Sequence, residues 1–404
     1  MAIIGMDIHR AFAEVVALEG KSRRRLGRIV MRCDRLAAFA AGLTKDDIVV
    51  VEATGNATVV AEVLAVGRVV IANPKQVRVI AHAKIKTDKI DAAVLAELYA
   101  SGFLPEVWIA DKDTLALRRQ VTRRNQIVRQ RTRLKNIVQS ILHAHLIPAY
   151  PAGNMFERKG RAWLAAQKLP EDERMAIERH VREMDRLGED LKVIQRDLAY
   201  GLADLRVKRL MTVPGLDMIV ATALVAAIGD VSRFGSPQKL VSYLGLNPSV
   251  RQSGSGPAYH GRISKQGPGR ARGLLVEAAA AARAPGPLRA FFLRIRARRG
   301  QHVAAVATAR KLAVLVWHLL TKEQDYLWVR PALHATKLRR LELTAGHAPA
   351  RGQRGSAYDY NIKATRDQEC RRVQQAEKIY ERFVAGWNRS GPGVRTSAAK
   401  EERQ

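Results

Sequence analysis

Asp7, Glu52, Asp88 and Asp91 are the residues of this chain whose type and order could carry chemistry. Asp88 and Asp91 stand three apart in Lys84-Ile-Lys86-Thr-Asp88-Lys-Ile-Asp91-Ala-Ala, and helical spacing sets both carboxylates on one face. Like charges at that distance repel, so the pair needs either solvent at a helix N-terminus or a cation between the two groups. Asp7 lies inside an apolar run, residues 2–8, where a carboxylate is costly unless something binds it. Glu52 ends a second apolar run, Ile48-Val-Val-Val51. Acids delivered from strand ends and one helix can converge at the carboxyl edge of an open sheet. Four of them together call for hard divalent cations, and two Mg²⁺ about 4 Å apart, with Mn²⁺ as a substitute, are the usual arrangement for phosphodiester chemistry. Each acid also has a plain structural reading: a turn cap for Glu52, a bound backbone amide for Asp7, a solvated first helical turn for Asp88 and Asp91.

The elements that must position these acids are legible around them. Residues 2–8 predict a buried strand, 11–18 a second strand after a tight His9-Arg10 turn, 48–52 and 69–72 two more, with a crossover helix over 56–66. The result is an α/β domain with a mixed sheet. Beyond it, Leu115 to about Leu146 is helical and basic: Arg118, Arg119, Arg123, Arg124, Arg131 and Lys135 occur there without one intervening acid. A solvated face normally mixes signs, so this segment is expected to track phosphates. Residues 170–209 carry apolar residues alternating by three and four from Ile177 to Leu205, a coiled-coil seam whose partner is either the basic helix or another copy of the chain. Val213-Pro-Gly-Leu216 then opens a helical module that resembles a helix-hairpin-helix, whose turn amides could hold a phosphate.

Charge names the partner class. Lys and Arg number 69 against 38 Asp and Glu, a net +31. Self-repulsion on that scale calls for a polyanion, nucleic acid before an acidic membrane surface. No apolar run is long enough to span a bilayer on this reading and no signal-peptide head is present, so a cytoplasmic, nucleoid-associated protein is expected. Two cysteines, Cys33 and Cys370, make no disulfide framework, and the ten histidines show no zinc spacing. From about Lys337 onward the composition predicts a poorly ordered basic tail, apart from a helical pattern over 367–387.

A second chemical feature is the polar loop Arg251-Gln-Ser253-Gly-Ser255-Gly-Pro-Ala-Tyr-His-Gly-Arg262-Ile-Ser-Lys265, followed by Arg270. Glycine permits close approach to a phosphate, Arg251, Arg262, Lys265 and Arg270 would neutralise it, and a serine there is a donor or a nucleophile. The structural alternative is an ordinary surface loop. No Walker-type Gly-x-x-x-x-Gly-Lys-Ser/Thr phosphate loop accompanies it.

Taken in order, Gly-Met-Asp7, Val-Glu52-Ala-Thr-Gly, Lys-Thr-Asp88-Lys-Ile-Asp91-Ala, Pro-Gly-Leu216, Ile-Gly-Asp-Val-Ser-Arg-Phe234, Tyr-Leu-Gly-Leu-Asn-Pro-Ser249 and Gly-Arg-Ile-Ser-Lys-Gln-Gly267 resemble the DEDD insertion-sequence transposases, relatives of the Piv DNA invertase associated with bridge RNAs. The likeness runs from Met1 to about Leu320. It implies a RuvC-like, RNase H-like nuclease domain over 1–110, a basic helix and coiled-coil region over 111–209 and a helical transposase domain over 210–330, with 331–404 as a tail outside it. It further implies that Asp7, Glu52, Asp88 and Asp91 hold Mg²⁺ and that a serine becomes linked to DNA. Ser253 fits the family's Gln-Ser-Gly pattern better than Ser255, and Ser264 lies within the basic run. A homodimer or homotetramer, acids of one subunit working with the serine of another, DNA as substrate and a structured RNA as guide complete the expectation. Lys84 and Lys86 would meet the phosphate backbone beside the acids. The competing readings are a metal-dependent, junction-resolvase-like nuclease that hydrolyses with water, and a non-catalytic nucleic-acid binder.

Overall fold

Alternation in Ile3–Ile8 (β1) sends Ile4, Met6 and Ile8 into one apolar layer and Gly5 and Asp7 to the opposite face. The computed structural model describes residues 1–80, 87–200, 204–254, 256–279, 284–347 and 356–389, and the chain divides into two units, Met1–Asp111 and Lys112–Gln404. In the first unit β1 is followed by β2 (Phe12–Glu19), β3 (Ser22–Val30), α1 (Cys33–Ala40), β4 (Ile48–Glu52), α2 (Ala57–Val63), β5 (Arg68–Ala72), α3 (Pro74–Ile80), α4 (Asp88–Ala100) and β6 (Glu106–Val107). The six strands lie in the order β3-β2-β1-β4-β5-β6. β1, β4 and β5 run parallel, while β2 and β6 pair antiparallel to their neighbours, so the sheet is mixed and RNase H-like. One face buries Ile4, Met6, Val49 and Val51 with Leu36 of α1 and Val60 of α2; the other carries α4.

β3 is absent from the sequence reading. Its Ser-Arg-Arg-Arg-Leu-Gly-Arg stretch lacks strand propensity, yet it pairs along the whole of β2 as an edge strand, where cations discourage further pairing.

In the second unit α5 (Lys112–Ala144), α6 (Arg158–Ala165) and α7 (Glu171–Tyr200) come first. Val121 packs with Leu198 and Val138 with Ile177, so α5 and α7 run antiparallel and the heptad seam is filled from within the chain. The seam is shorter than expected. Leu205 is 67% exposed and opens a separate helix, α8 (Leu205–Met211), capped by Asp204, while Leu202 lies outside the described residues.

A single apolar core then joins α8, α9 (Met218–Ile228), α10 (Pro237–Tyr243), α11 (Gly269–Ala278), α12 (Pro287–Thr321) and α13 (Pro331–Ala345), with a hairpin of β7 (Pro248–Arg251) and β8 (Tyr259–Ile263) beside it. Two expectations are corrected here. The Val213–Leu216 turn is not a phosphate cradle: Val213 and Leu216 are fully buried, their amides bond to the Leu210 and Val213 carbonyls, and the Lys337 ammonium donates to the carbonyls of Met211, Val213 and Leu216. Burial pushes Lys337 down to about 8. Nor is the chain after Lys337 simply a tail, because Leu341 and Ala345 belong to the core. Helix α14 (Lys363–Arg389) packs on α12, with Glu377 accepting from Gly286 and Arg289, and Glu369 from Ala332.

Contrary to the hydropathy expectation, α12 is long and apolar enough by composition to cross a membrane. It is broken at Gly300 (φ 79°), and Ala309, Leu312, Ala313 and Val316 are spent on the core of the unit.

Candidate active site

Parallel pairing of β1 with β4 puts Met6 opposite Val51, so Asp7 and Glu52, one residue further along each strand, leave the same end of the sheet on the α4 side. Helix α4 starts at that end: Thr87 caps it by accepting from the Ile90 amide, and Asp88 and Asp91 fall in its first turn. Asp88, Asp91, Ala92 and Leu95 share one helical face, and Ala92 and Leu95 bury it against the sheet. Close approach depends on Gly5, where a Cβ would stand 1.8 Å from the Ala92 carbonyl oxygen. Gly5→Ala is therefore expected to lower stability by about 3 kcal/mol, or to lift α4 off β1 and weaken divalent-ion binding. Thermal melting together with Mn²⁺ titration reads both effects.

The Asp7 and Asp88 carboxylates meet around a residue that the sequence pattern marks only as part of a turn. His9 Nε2 lies 3.2 Å from Asp7 Oδ2 and 3.4 Å from Asp88 Oδ1. It is shielded from solvent and forms no well-directed hydrogen bond among the described residues. One ligand atom from each of Asp7, His9 and Asp88 lies within 4.8 Å of the others. Two hard oxygen donors and a borderline nitrogen fit a divalent cation. Glu52 and Asp91 sit at the same sheet edge by register and helical phase. The place of His9, two residues beyond Asp7 at the mouth of the β1–β2 turn, is also the pattern of an ordinary turn residue.

Behind this group is a buried acid of a different kind. Glu14 pairs with Asp7 in the β1–β2 register and has no solvent exposure. Arg25 Nε and Arg28 Nε donate to it at 2.5 and 3.0 Å. The Arg25 hydrogen bond, aided by Arg28, holds the Glu14 carboxyl below the usual carboxylate range against the opposing effect of burial. Arg28 Nη2 also reaches to 3.9 Å from Asp88 Oδ2, so β3 supplies the charge that keeps Glu14 from adding to the repulsion among the edge acids.

The serine loop joins β7 to β8. Arg251 is the last residue of β7, Ser253 is exposed in the turn and Gly254 adopts φ 58°; Gln252 Nε2 donates to the Gly256 carbonyl across the loop. Ser255 lies outside the described residues, as do Lys84 and Lys86. The base of the hairpin is tightly set: a Cβ on Gly245 would stand 2.1 Å from the Gln266 carbonyl oxygen and one on Gly267 2.0 Å from that of Tyr243, both at positive φ. Arg272 donates to the Leu244 and Gln266 carbonyls and fastens the same two segments. Arg262 and Lys265 are exposed beside it.

The basic helix α5 divides its cations between two faces. Arg119 and Arg123 are exposed, one turn apart, and available to phosphate. Arg118 is occupied by the Ala226 and Ala227 carbonyls at the C-terminal end of α9. Arg124 is desolvated and its pKa lowered by that burial; Arg131 packs near Gly188 of α7, and Lys135 lies over the Phe156 ring. Arg270, also lowered by burial, donates to the carbonyls of Val121 and Thr122. Arg118 and Arg270 thus donate to backbone carbonyls and Arg124 and Arg131 are half-buried, so the cations of α5 that face solvent openly include Arg119 and Arg123.

Two family models match the chain. The family model for IS110-type DEDD proteins, described as a transposase, matches residues 4–147, and one described as the transposase IS116/IS110/IS902 family matches residues 207–292, between them more than half of the chain. An inferred transposase of Sinorhizobium fredii, y4qE, is 32% identical over 196 residues, which is 48% of this chain and 48% of that protein. The chain thus spans about half the length of that relative. A Pseudomonas aeruginosa protein, an inferred family 20 transposase, is 28% identical over 60% of this chain and 74% of its own length. The transposase for insertion sequence element IS1111A of Coxiella burnetii is 26% identical over 60% of this chain and 68% of that protein.

Proposed function

We propose, for a chain that belongs to the IS116/IS110/IS902 family of DEDD transposases, that it is the site-specific DNA recombinase of an insertion sequence and works by phosphoryl transfer. The observation that carries this reading is the convergence of Asp7 and Asp88, with His9 between them, at the sheet edge that Glu52 and Asp91 share. Bound there, divalent ions, Mg²⁺ or Mn²⁺, would supply electrostatic stabilisation of the phosphate charge. Asp7, Glu52, Asp88 and Asp91 would hold them, and Arg25 and Arg28 neutralise the Glu14 carboxylate beside the group.

Ser253 is the nucleophile. Its Oγ forms a bond to phosphorus as its proton leaves, the P–O bond to one deoxyribose breaks, and the released sugar oxygen takes up a proton. The phosphoserine ester conserves the bond energy, so a sugar hydroxyl of the partner strand can attack it, restoring the serine and joining the new junction without ATP. Arg119, Arg123, Arg251, Arg262 and Lys265 neutralise backbone phosphates. The net charge of +31 also suits a second polyanion, and the family resemblance makes it a structured RNA acting with a dimer or tetramer.

The test is recombination of DNA carrying the element's ends by purified protein and its RNA. Joined junctions are expected without ATP, lost on chelation and restored by Mg²⁺ or Mn²⁺. Cut ends that are never joined would favour the hydrolytic nuclease.

A further inference from the structure

The β7–β8 hairpin that presents Ser253 forms one wall of a groove of about 1030 Å³, whose opposite wall is α12 on both sides of its break at Gly300. The volume is at the upper end of the range of ligand sites, roughly 300–1,000 Å³. Its floor is apolar, built from Leu246, Ile263, Val303 and Val306. Its sides carry Arg262, Lys265, Arg299, Arg310 and Lys311, and no carboxylate lines it among the described residues. Two aromatic side chains complete it. The Phe291 ring already has Arg294 Cζ and Lys311 Nζ each 5.5 Å from its centroid. Tyr259, at the start of β8, is 69% exposed, an aromatic surface held at the rim of the groove.

A cationic rim alone would suit any polyanion. An apolar floor beside an exposed aromatic is more selective: a duplex offers phosphates with its base faces already stacked, whereas an unpaired nucleotide brings an apolar base face together with a phosphate. We infer that this groove captures an unstacked base of a single DNA strand on Tyr259, with the flanking phosphates on Arg262 and Arg299. DNA is the assigned strand because Tyr259 and Arg262 belong to the hairpin whose tip holds the proposed nucleophile. The groove would then grip a nucleotide near the phosphate being cut. The inference rests on the recombinase reading and adds to it a site for opened DNA.

The test measures binding of the full-length chain to a fluorescent single strand carrying 2-aminopurine and to the matching duplex at one salt concentration. Tyr259→Ala is expected to weaken single-strand binding roughly tenfold and to remove the change in 2-aminopurine emission, with duplex affinity unaltered and Tyr259→Phe close to the parent. Unchanged single-strand binding by Tyr259→Ala overturns the groove while leaving the recombinase reading standing, and so does an equal loss for both forms. A stronger, Tyr259-dependent response to RNA of the same sequence overturns the assignment to DNA. Failure of the unaltered protein to bind either DNA form, both alone and with its RNA, overturns both the groove and the recombinase reading.

Discussion

Asp88→Asn is expected to lower strand cleavage in Mg²⁺ about a thousandfold or more, with duplex affinity within about twofold of the parent. Asn keeps the size of the side chain and suits the first turn of a helix, so α4 should still start at Thr87 and lie on β1. What is lost is one negative charge 3.4 Å from His9 Nε2, in a group whose use depends on its summed charge. The result must separate from a folding defect, and Mn²⁺ affinity followed by electron paramagnetic resonance provides that separation. It should fall with Asp88→Asn and with Asp7→Asn, and by a smaller factor, about tenfold, with His9→Ala. Undiminished Mn²⁺ binding by both Asn variants would remove these acids from the metal centre. Full cleavage by Asp88→Asn would remove it from the chemistry.

Ser253→Ala carries the other large effect, a fall of about 10⁴-fold in both cleavage and joining. Ser253 is exposed in a turn, so loss of its hydroxyl should leave melting temperature and Mn²⁺ affinity where they were. Ser255→Ala is expected to stay within a few-fold of the parent, since Ser253 is the serine in the Gln-Ser-Gly setting. Cleavage left intact by both single variants would make water the nucleophile.

The first unit was readable because its strands are apolar and its acids punctuate them. Asp7 interrupts a buried run, Glu52 ends one, and the Asp88–Asp91 spacing sets a helical phase, so their order along the chain translated directly into one end of a sheet. His9 was not readable, because a lone histidine after a strand has the same local pattern whether it turns the chain or faces a carboxylate. β3 escaped notice for a related reason: Arg25 and Arg28 look like surface charge until their partner, Glu14 on the neighbouring strand, is known. The same limit explains α5. Arg118 and Arg119 are adjacent and chemically identical, yet one terminates α9 and the other faces solvent, a distinction made only by what packs beside them. Lys337 likewise read as part of a basic tail, while its ammonium holds the Val213–Leu216 turn through three carbonyls distant in sequence. Patterns local in sequence were legible; which side chains pair across strands and helices was not.

The proposed reaction requires that a serine of this chain become covalently joined to DNA. Its most direct test is a nicked suicide substrate that lets cleavage proceed but prevents rejoining, resolved on a denaturing gel and followed by mass spectrometry of the DNA-linked peptide. Protein-bound DNA is predicted for the parent protein in Mg²⁺, with the phosphate on Ser253, and none for Ser253→Ala or Asp88→Asn. Efficient cleavage by the parent with every DNA end free of protein would contradict the account.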